Sequence, residues 1–178
     1  HLGGANIAAS YTTKCIDLSF GGSYSYYNSP HWGTLSWVDG VADVGGRWYD
    51  NDVVKHDGNI FARADWAVFR GGRDNALHLF GDLQYRYVGY KTWGTNDNAI
   101  WGDDEVYMQP INVDVEYNFF NPRLGVSYVD GCHTAFVSAA VAHREPTRSD
   151  FTDRYMFSED DSYPKPERLI DIEAGYTF

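Results

Sequence analysis

The chain has 178 residues, a net charge of −11 and a pI near 4.7. That balance speaks against a nucleic-acid binder, which normally carries a basic patch, and the length suits one domain. No run of ~20 apolar residues exists, so no transmembrane helix is expected; a membrane β-barrel stays open, because its strands need only ~10 alternating residues each.

Aromatics reach 17%, led by 14 Tyr and 10 Phe beside 18 Gly and two Met. That composition favours strands over helices. In chain order, Ala5 to Thr12 alternates, with Ala5, Ile7, Ala9 and Tyr11 on one face. Ile16 to Tyr27 alternates more clearly, setting Ile16, Leu18, Phe20, Tyr24 and Tyr26 against Asp17, Ser19, Ser23 and Ser25. Asn28 to Asp57 reads as a long irregular loop, holding Pro30, Trp32, Trp37, Trp48 and the acids Asp39, Asp43, Asp50, Asp52 and Asp57. Asn59 to Phe69 is the next strand, with Ile60, Ala62, Ala64, Trp66 and Val68 opposite Arg63 and Asp65. A compact turn at Gly71–Asn75 leads into Ala76 to Tyr90. There Leu77, Leu79, Leu83, Tyr85 and Tyr87 oppose His78, Asp82, Gln84 and Arg86, and Tyr85, Tyr87 and Tyr90 suggest an interfacial aromatic girdle.

Lys91 to Ile111 reads as a second long loop, with Trp93 and Trp101 in it. Asn112 to Tyr128 is a strand whose apolar parity slips at Phe120-Asn121-Pro122, and a β-bulge is expected there. After a short turn at Asp130–His133, Thr134 to Arg144 places Ala135, Val137, Ala139 and Val141 on one face. Glu145 to Pro166 reads as a third long loop, and Arg168 to Phe178 closes the chain with Ile170, Ile172 and Ala174 against Asp171 and Glu173. The connections alternate short and long, so every long loop falls at one end. That segregation is the outer-membrane barrel pattern, with long loops extracellular.

Three groups of residues carry the resemblance to a known family. They are YNFFNPRLGVSY (Tyr117–Tyr128), VAHREPTRSDFTD (Val141–Asp153) and PKPERLIDIEAGYTF (Pro164–Phe178), supported by Ser29–Val38 and Asp82–Asn98. In order, they resemble the barrel of TonB-dependent outer-membrane receptors of the Bacteroidetes type. The expected fold is therefore all-β: an antiparallel up-and-down meander of about seven strands, an arc of a larger transmembrane β-barrel that has 22 strands in the resembled family. Residues 1–178 would form part of that barrel, and no stretch of them resembles the plug domain. The chain begins at His1 without a Met, as a processed product or a fragment would.

The resemblance implies import of a scarce nutrient (ferric siderophore, haem, cobalamin or glycan) across the bacterial outer membrane with TonB energy coupling. It implies outer-membrane lipid, a small-molecule or glycan ligand, and, through the full-length protein, the plug and the TonB complex as partners. Arg63, Asp65, Asp82, Arg86, Asp171 and Glu173 oppose the apolar face and are expected in the lumen, because an Arg or Lys facing lipid at mid-membrane costs ~2–4 kcal/mol. Trp32, Trp37, Trp48, Trp93, Trp101, Arg144 and Arg148 are the candidate ligand contacts of the long loops, with interloop packing as the competing role. No catalytic signature, metal-ligand spacing or cofactor motif occurs. Cys15 and Cys132 read as two small unpaired hydrophobes, with a disulfide as the alternative.

Two other classes remain. In a secreted all-β carbohydrate-binding module, Leu77, Leu79, Leu83, Ile170 and Ile172 would pack between two stacked sheets rather than on a convex exterior. An all-β hydrolase would need two carboxylates ~5–10 Å apart in a cleft.

Overall fold

The structure is a computed structural model. It describes residues 1–37, 45–71, 75–101, 106–157 and 163–178, with side chains left out at 100, 101, 106 and 153–157. Seven strands run β1 Leu2–Thr12, β2 Ile16–Thr34, β3 Arg47–Gly71, β4 Asn75–Trp101, β5 Val106–Asp130, β6 His133–Arg144 and β7 Glu167–Thr177, with one helix, α1 Arg148–Phe157, before β7. They form one antiparallel sheet in sequence order, each strand hydrogen-bonded to its chain neighbours. The described residues contain no second sheet, so the sandwich arrangement is ruled out.

The turns at one end are tight. Thr13 Oγ1 accepts hydrogen bonds from the backbone N–H groups of Cys15 and Ile16 and so closes the β1–β2 turn. Gly131, at φ 58°, takes the first of the two central positions between Asp130 and His133, where a side chain would be strained. The turn expected at Gly71–Asn75 lies partly outside the described residues, as do Asp39 and Asp43.

The opposite end differs from expectation. Most of Asn28–Asp57 and Lys91–Ile111 is strand, not loop: β2 and β3 pair from Ile16–Trp66 to Thr34–Arg47 with a register shift between Gly33 and Thr34, and β4 and β5 from Asn75–Asp130 to Trp101–Val106 with a register shift between Thr95 and Ala99. The Gly, Asn and Asp content that suggested loops sits instead in ladders that outrun the apolar band. Glu145–Pro166 is likewise not wholly irregular, since it contains α1.

The expected bulge at Phe120-Asn121-Pro122 is absent. The β4–β5 register passes through Tyr85–Phe120, Gln84–Asn121 and Leu83–Pro122 without a shift. Pro122 marks a different boundary: the β5–β6 ladder starts one residue later, at Arg123–Ala140. A proline cannot donate to a ladder, so the pairing ends beside it.

Alternation then assigns two faces. On the outer face, cross-strand partners match apolar to apolar in the tight-turn half: Phe20–Ala62–Leu83, Trp66–Leu79–Val126–Val137 and Leu124–Ala139–Ile172. Large aromatics flank this aliphatic band on the same face. Tyr11, Trp66, Tyr128 and Tyr176 lie toward the tight turns, and Tyr24, Tyr85 and Phe120 toward the hairpins. From Tyr128 to Phe120 is about 26 Å along the strand, or about 20 Å after a 40° tilt, near the ~25 Å apolar height of a membrane barrel. Tyr90 does not belong to the girdle; it lies on the inner face, stacked on Phe151.

Candidate ligand-facing site on the inner wall

The inner face of the tight-turn half is ionic. One rung reads Ser19–Arg63–Asp82–Arg123–Ala140–Asp171, with Arg63 Nε 3.7 Å from Asp82 Oδ2. The next toward the turns joins Asp65, Phe80, Gly125, Ser138 and Glu173; Asp65 accepts from His78 at 2.7 Å and Glu173 from Arg123 at 3.4 Å. Arg63, Asp65, Asp82, Arg86, Asp171 and Glu173 thus share one face of the sheet.

Beyond the girdle the faces exchange character. Lys91–Asp114 (2.8 Å), Tyr87–Glu116 (3.0 Å) and Tyr85–Asn118 (2.5 Å) are now on the outer face. Ile111, Val113, Val115 and Phe119 are buried on the inner one. The apparent parity slip in β5 is therefore a change of environment on a strand of constant register.

What buries those residues is the segment after β6. Above Ala140, β6 separates from β5, and His143 fills the split, stacking on Phe119 and meeting Asn121 Oδ1 at 2.9 Å. Glu145 then turns onto the inner wall. It accepts from Lys55 Nζ at 2.7 Å and from Arg86 Nη1 at 2.8 Å, while Arg86 binds Asp57 with two bonds, at 3.0 and 2.6 Å. Burial opposes ionisation of Glu145, but the bonds from Lys55 and Arg86 outweigh it and hold the carboxyl down to about 2.

Thr147 caps α1. Its N–H donates to Asp150 at 2.6 Å, the carboxylate half of a capping box, and its hydroxyl donates to the same oxygen at 2.8 Å; both bonds lower the Asp150 pKa. The spacing Thr147-x-x-Asp150 was a readable helix signal that the reading of this stretch as a loop passed over. Phe151 drops between Tyr90 and the Ile111–Val113–Val115 cluster. Gln109 donates to the Thr152 carbonyl at 3.3 Å, and the Tyr117 hydroxyl to the Pro164 carbonyl at 3.2 Å.

Two cavities flank the start of α1. The first, about 390 Å³, is polar, with His31, Tyr49, Asn96, Asp97 and Asn98 facing Arg148. The second, about 260 Å³, is more enclosed, with Tyr90, Tyr117 and Phe151 opposite Lys55, Arg144 and Arg148. Burial raises the pKa of both Tyr90 and Tyr117, so both phenols stay protonated donors.

Arg144 and Arg148 thus meet at one cavity. The tryptophans do not join them. Trp32, Trp48 and Trp93 lie on strands rather than in loops, and Arg47 lies over the Trp32 ring at 5.4 Å. Trp37 is exposed after β2, and Trp101 ends β4 opposite Val106, with its side chain outside the described residues. Sequence inspection missed Lys55, Tyr90, Tyr117 and Glu145 as site residues, because their meeting depends on the inward turn after β6. Cys15 and Cys132 are both free and exposed, in turns on opposite sides of the β2-to-β5 span. At about 4.8 Å per strand step they sit too far apart to bridge.

No family model matches the chain, and no curated protein matches it. Among solved structures, it is similar to the ferric-catecholate import receptor Fiu of E. coli K12 in its closed form. There the TM-score is 0.55 and the identity 17%, over 98% of this chain and 28% of that one. The open form of the same receptor aligns with a TM-score of 0.47 and 16% identity, over 82% of this chain and 25% of that one. The chain therefore spans about a quarter of the length of the solved structure it matches. Its fold is that of an arc of a receptor barrel. The closed-form structure is from E. coli rather than from Bacteroidetes, and the likeness to it is one of barrel fold.

Proposed function

We propose that the chain is wall and extracellular hairpins of a TonB-dependent receptor in the bacterial outer membrane, importing a scarce nutrient. One observation carries the reading: a single sheet whose outer face has an aliphatic band between two aromatic belts, with an ionic inner face behind it. A water-soluble sheet would leave that band exposed; Leu79, Leu83, Leu124, Ile170 and Ile172 all are. A bilayer covers such a band without a second sheet. The hairpins then project outward, and the segment after β6 narrows the vestibule.

Of the cargo classes, ferric catecholate draws support from the structural neighbour, a ferric-catecholate import receptor; haem, cobalamin and glycan draw none from it. Plug and TonB complex would act through the full-length protein. The Bacteroidetes-type subclass rests on the sequence resemblance alone.

Deletion of the encoding gene tests the reading. The strain is expected to lose growth on one cargo supplied at limiting concentration, and the protein to fractionate with the outer membrane. Unchanged growth on ferric catecholate, haem, cobalamin and glycan, with the protein in the soluble fraction, would defeat it.

A further inference from the structure

β5 is bonded on both sides over only part of its length. β4 pairs with it from Val106 to Asp130, whereas β6 pairs with it only from Arg123 to Asp130. Two prolines show which groups the missing ladder leaves open. Pro110 and Pro122 sit in register with β4, opposite Thr95 and Leu83, so their nitrogens, which carry no hydrogen, face the other side. Residues of the same parity between them, Asn112, Asp114, Glu116 and Asn118, therefore direct N–H and C=O away from β4. Among the described residues nothing bonds to the backbone there.

Open edges are commonly blunted by a short strand, a bulge, a proline or a charge. Here the prolines stand only at the two ends, and the β4–β5 register runs unshifted from Thr95–Pro110 to Asn75–Asp130. Val113 and Val115 are buried in one cluster with Phe151, which holds the strand extended and regular as a template for a further strand. Asn112, Asp114, Glu116 and Asn118 are exposed on the outer face. Their charges are of one sign. Asp114 is matched by Lys91, but Glu116 accepts only from the Tyr87 hydroxyl, at 3.0 Å, and has no cation partner among the described residues. The edge thus repels an acidic strand and favours a basic one.

We infer that this edge accepts an extended segment of a separate polypeptide, one that alternates basic and apolar residues. Its basic residues exchange backbone bonds with Asp114 and Glu116 and set cations beside those carboxylates. Its apolar residues lie on the inner side and extend the Val113–Val115 cluster. A second copy of the chain fits poorly. Antiparallel registers centred on Asp114, Val115 or Glu116 each place carboxylate against carboxylate, which is destabilising. A strand following β7 would add on the far side of β7, three strand spacings or about 14 Å from β5. The inference rests on the receptor reading only for the side of the membrane on which the edge lies.

The probe is a fluorescein-labelled heptapeptide of alternating valine and lysine, titrated into the full-length protein in detergent and read by anisotropy. Saturable binding is expected, weakened at least tenfold by Glu116→Lys and several-fold by Asn112→Pro, which removes one open donor as Pro110 and Pro122 do. Heat-modifiable gel migration reports that each variant is folded. Methylating the lysine backbone nitrogens should abolish binding, because those face β5; methylating the valine nitrogens, which face away, should not. In the free protein the Asp114 and Glu116 amides should exchange hydrogen faster than those of Val113 and Val115, and the peptide should slow the faster pair. No saturable binding, equal binding by the lysine-methylated peptide, or slow Asp114 and Glu116 exchange without peptide would overturn the site. A dimer of the protein that Asn112→Pro breaks would give the edge to a second copy and overturn it too. Binding in detergent that is absent on intact cells sinks the orientation of the receptor reading and leaves the edge site standing.

Discussion

The two halves of the sheet share strands and differ in which face avoids water. Toward the tight turns, Leu124 and Val126 of β5 are outer and Arg123 is inner. Toward the hairpins, Asp114 and Glu116 of the same strand are outer, and Val113 and Val115 are inner. Register stays constant between them, so the inversion records a change of surroundings. In the first half the outer neighbour is bilayer, on the reading proposed above. In the second the apolar neighbour is the chain itself, folded back at Glu145 and Phe151.

The sharpest test of that contrast places one residue type on both sides of it. Leu124→Arg should cost about 2–4 kcal/mol of folding free energy into lipid vesicles, the penalty for a cation in the apolar band. Glu116→Arg, eight positions along the same outer face, should stay within about 0.5 kcal/mol. Equal costs would erase the distinction between the halves. Gly94→Ala probes the hairpin half next. Gly94 has φ 120°, and a Cβ there would lie 2.3 Å from the Asp50 carbonyl oxygen. A loss of about 1–3 kcal/mol is expected, read as faster hydrogen exchange in the β3–β4 ladder around Asn51 and Gly94.

The inward segment has its own test. Glu145→Gln should make trypsin cleavage at Arg148 several-fold faster while leaving the tight-turn half protected. The pH dependence has a defined sign. The Glu145 carboxyl is depressed from 4.5 to about 2, so its stabilisation is complete above about pH 4.5 and is lost as pH falls toward 2. Cleavage by an acid-active protease should rise over that window in the wild type and stay flat in Glu145→Gln. The smallest expected effect is none: Cys15→Ser and Cys132→Ser should leave stability unchanged, and two thiols per chain should react with maleimide without reduction.

Much of the tight-turn half was legible because water and lipid impose a period of two on any strand between them. Leu77, Leu79 and Leu83 against His78, Asp82 and Arg86 needs no knowledge of the fold. The hairpin half was harder for three physical reasons. Trp32, Trp48 and Trp93 sit among Gly, Asp and Asn, a loop-like mixture that strand pairing nonetheless holds extended, with Trp48 at the register shift of the β2–β3 ladder. Pro122 suggested a break in the β4 ladder when it limits only the β6 ladder. The inward fold was hidden because Glu145 meets partners 90 and 59 residues earlier, a separation no local pattern encodes.

That separation has a kinetic consequence. Every strand pairing joins chain neighbours, so the wall can be laid down hairpin by hairpin. Glu145 cannot find Lys55 and Arg86 together until β3 and β4 are side by side. Docking of Phe151 on Tyr90 also waits for β5 to supply Val113 and Val115. The segment after β6 is therefore a late event in assembly. Its protection from protease would time the completion of the wall beneath it.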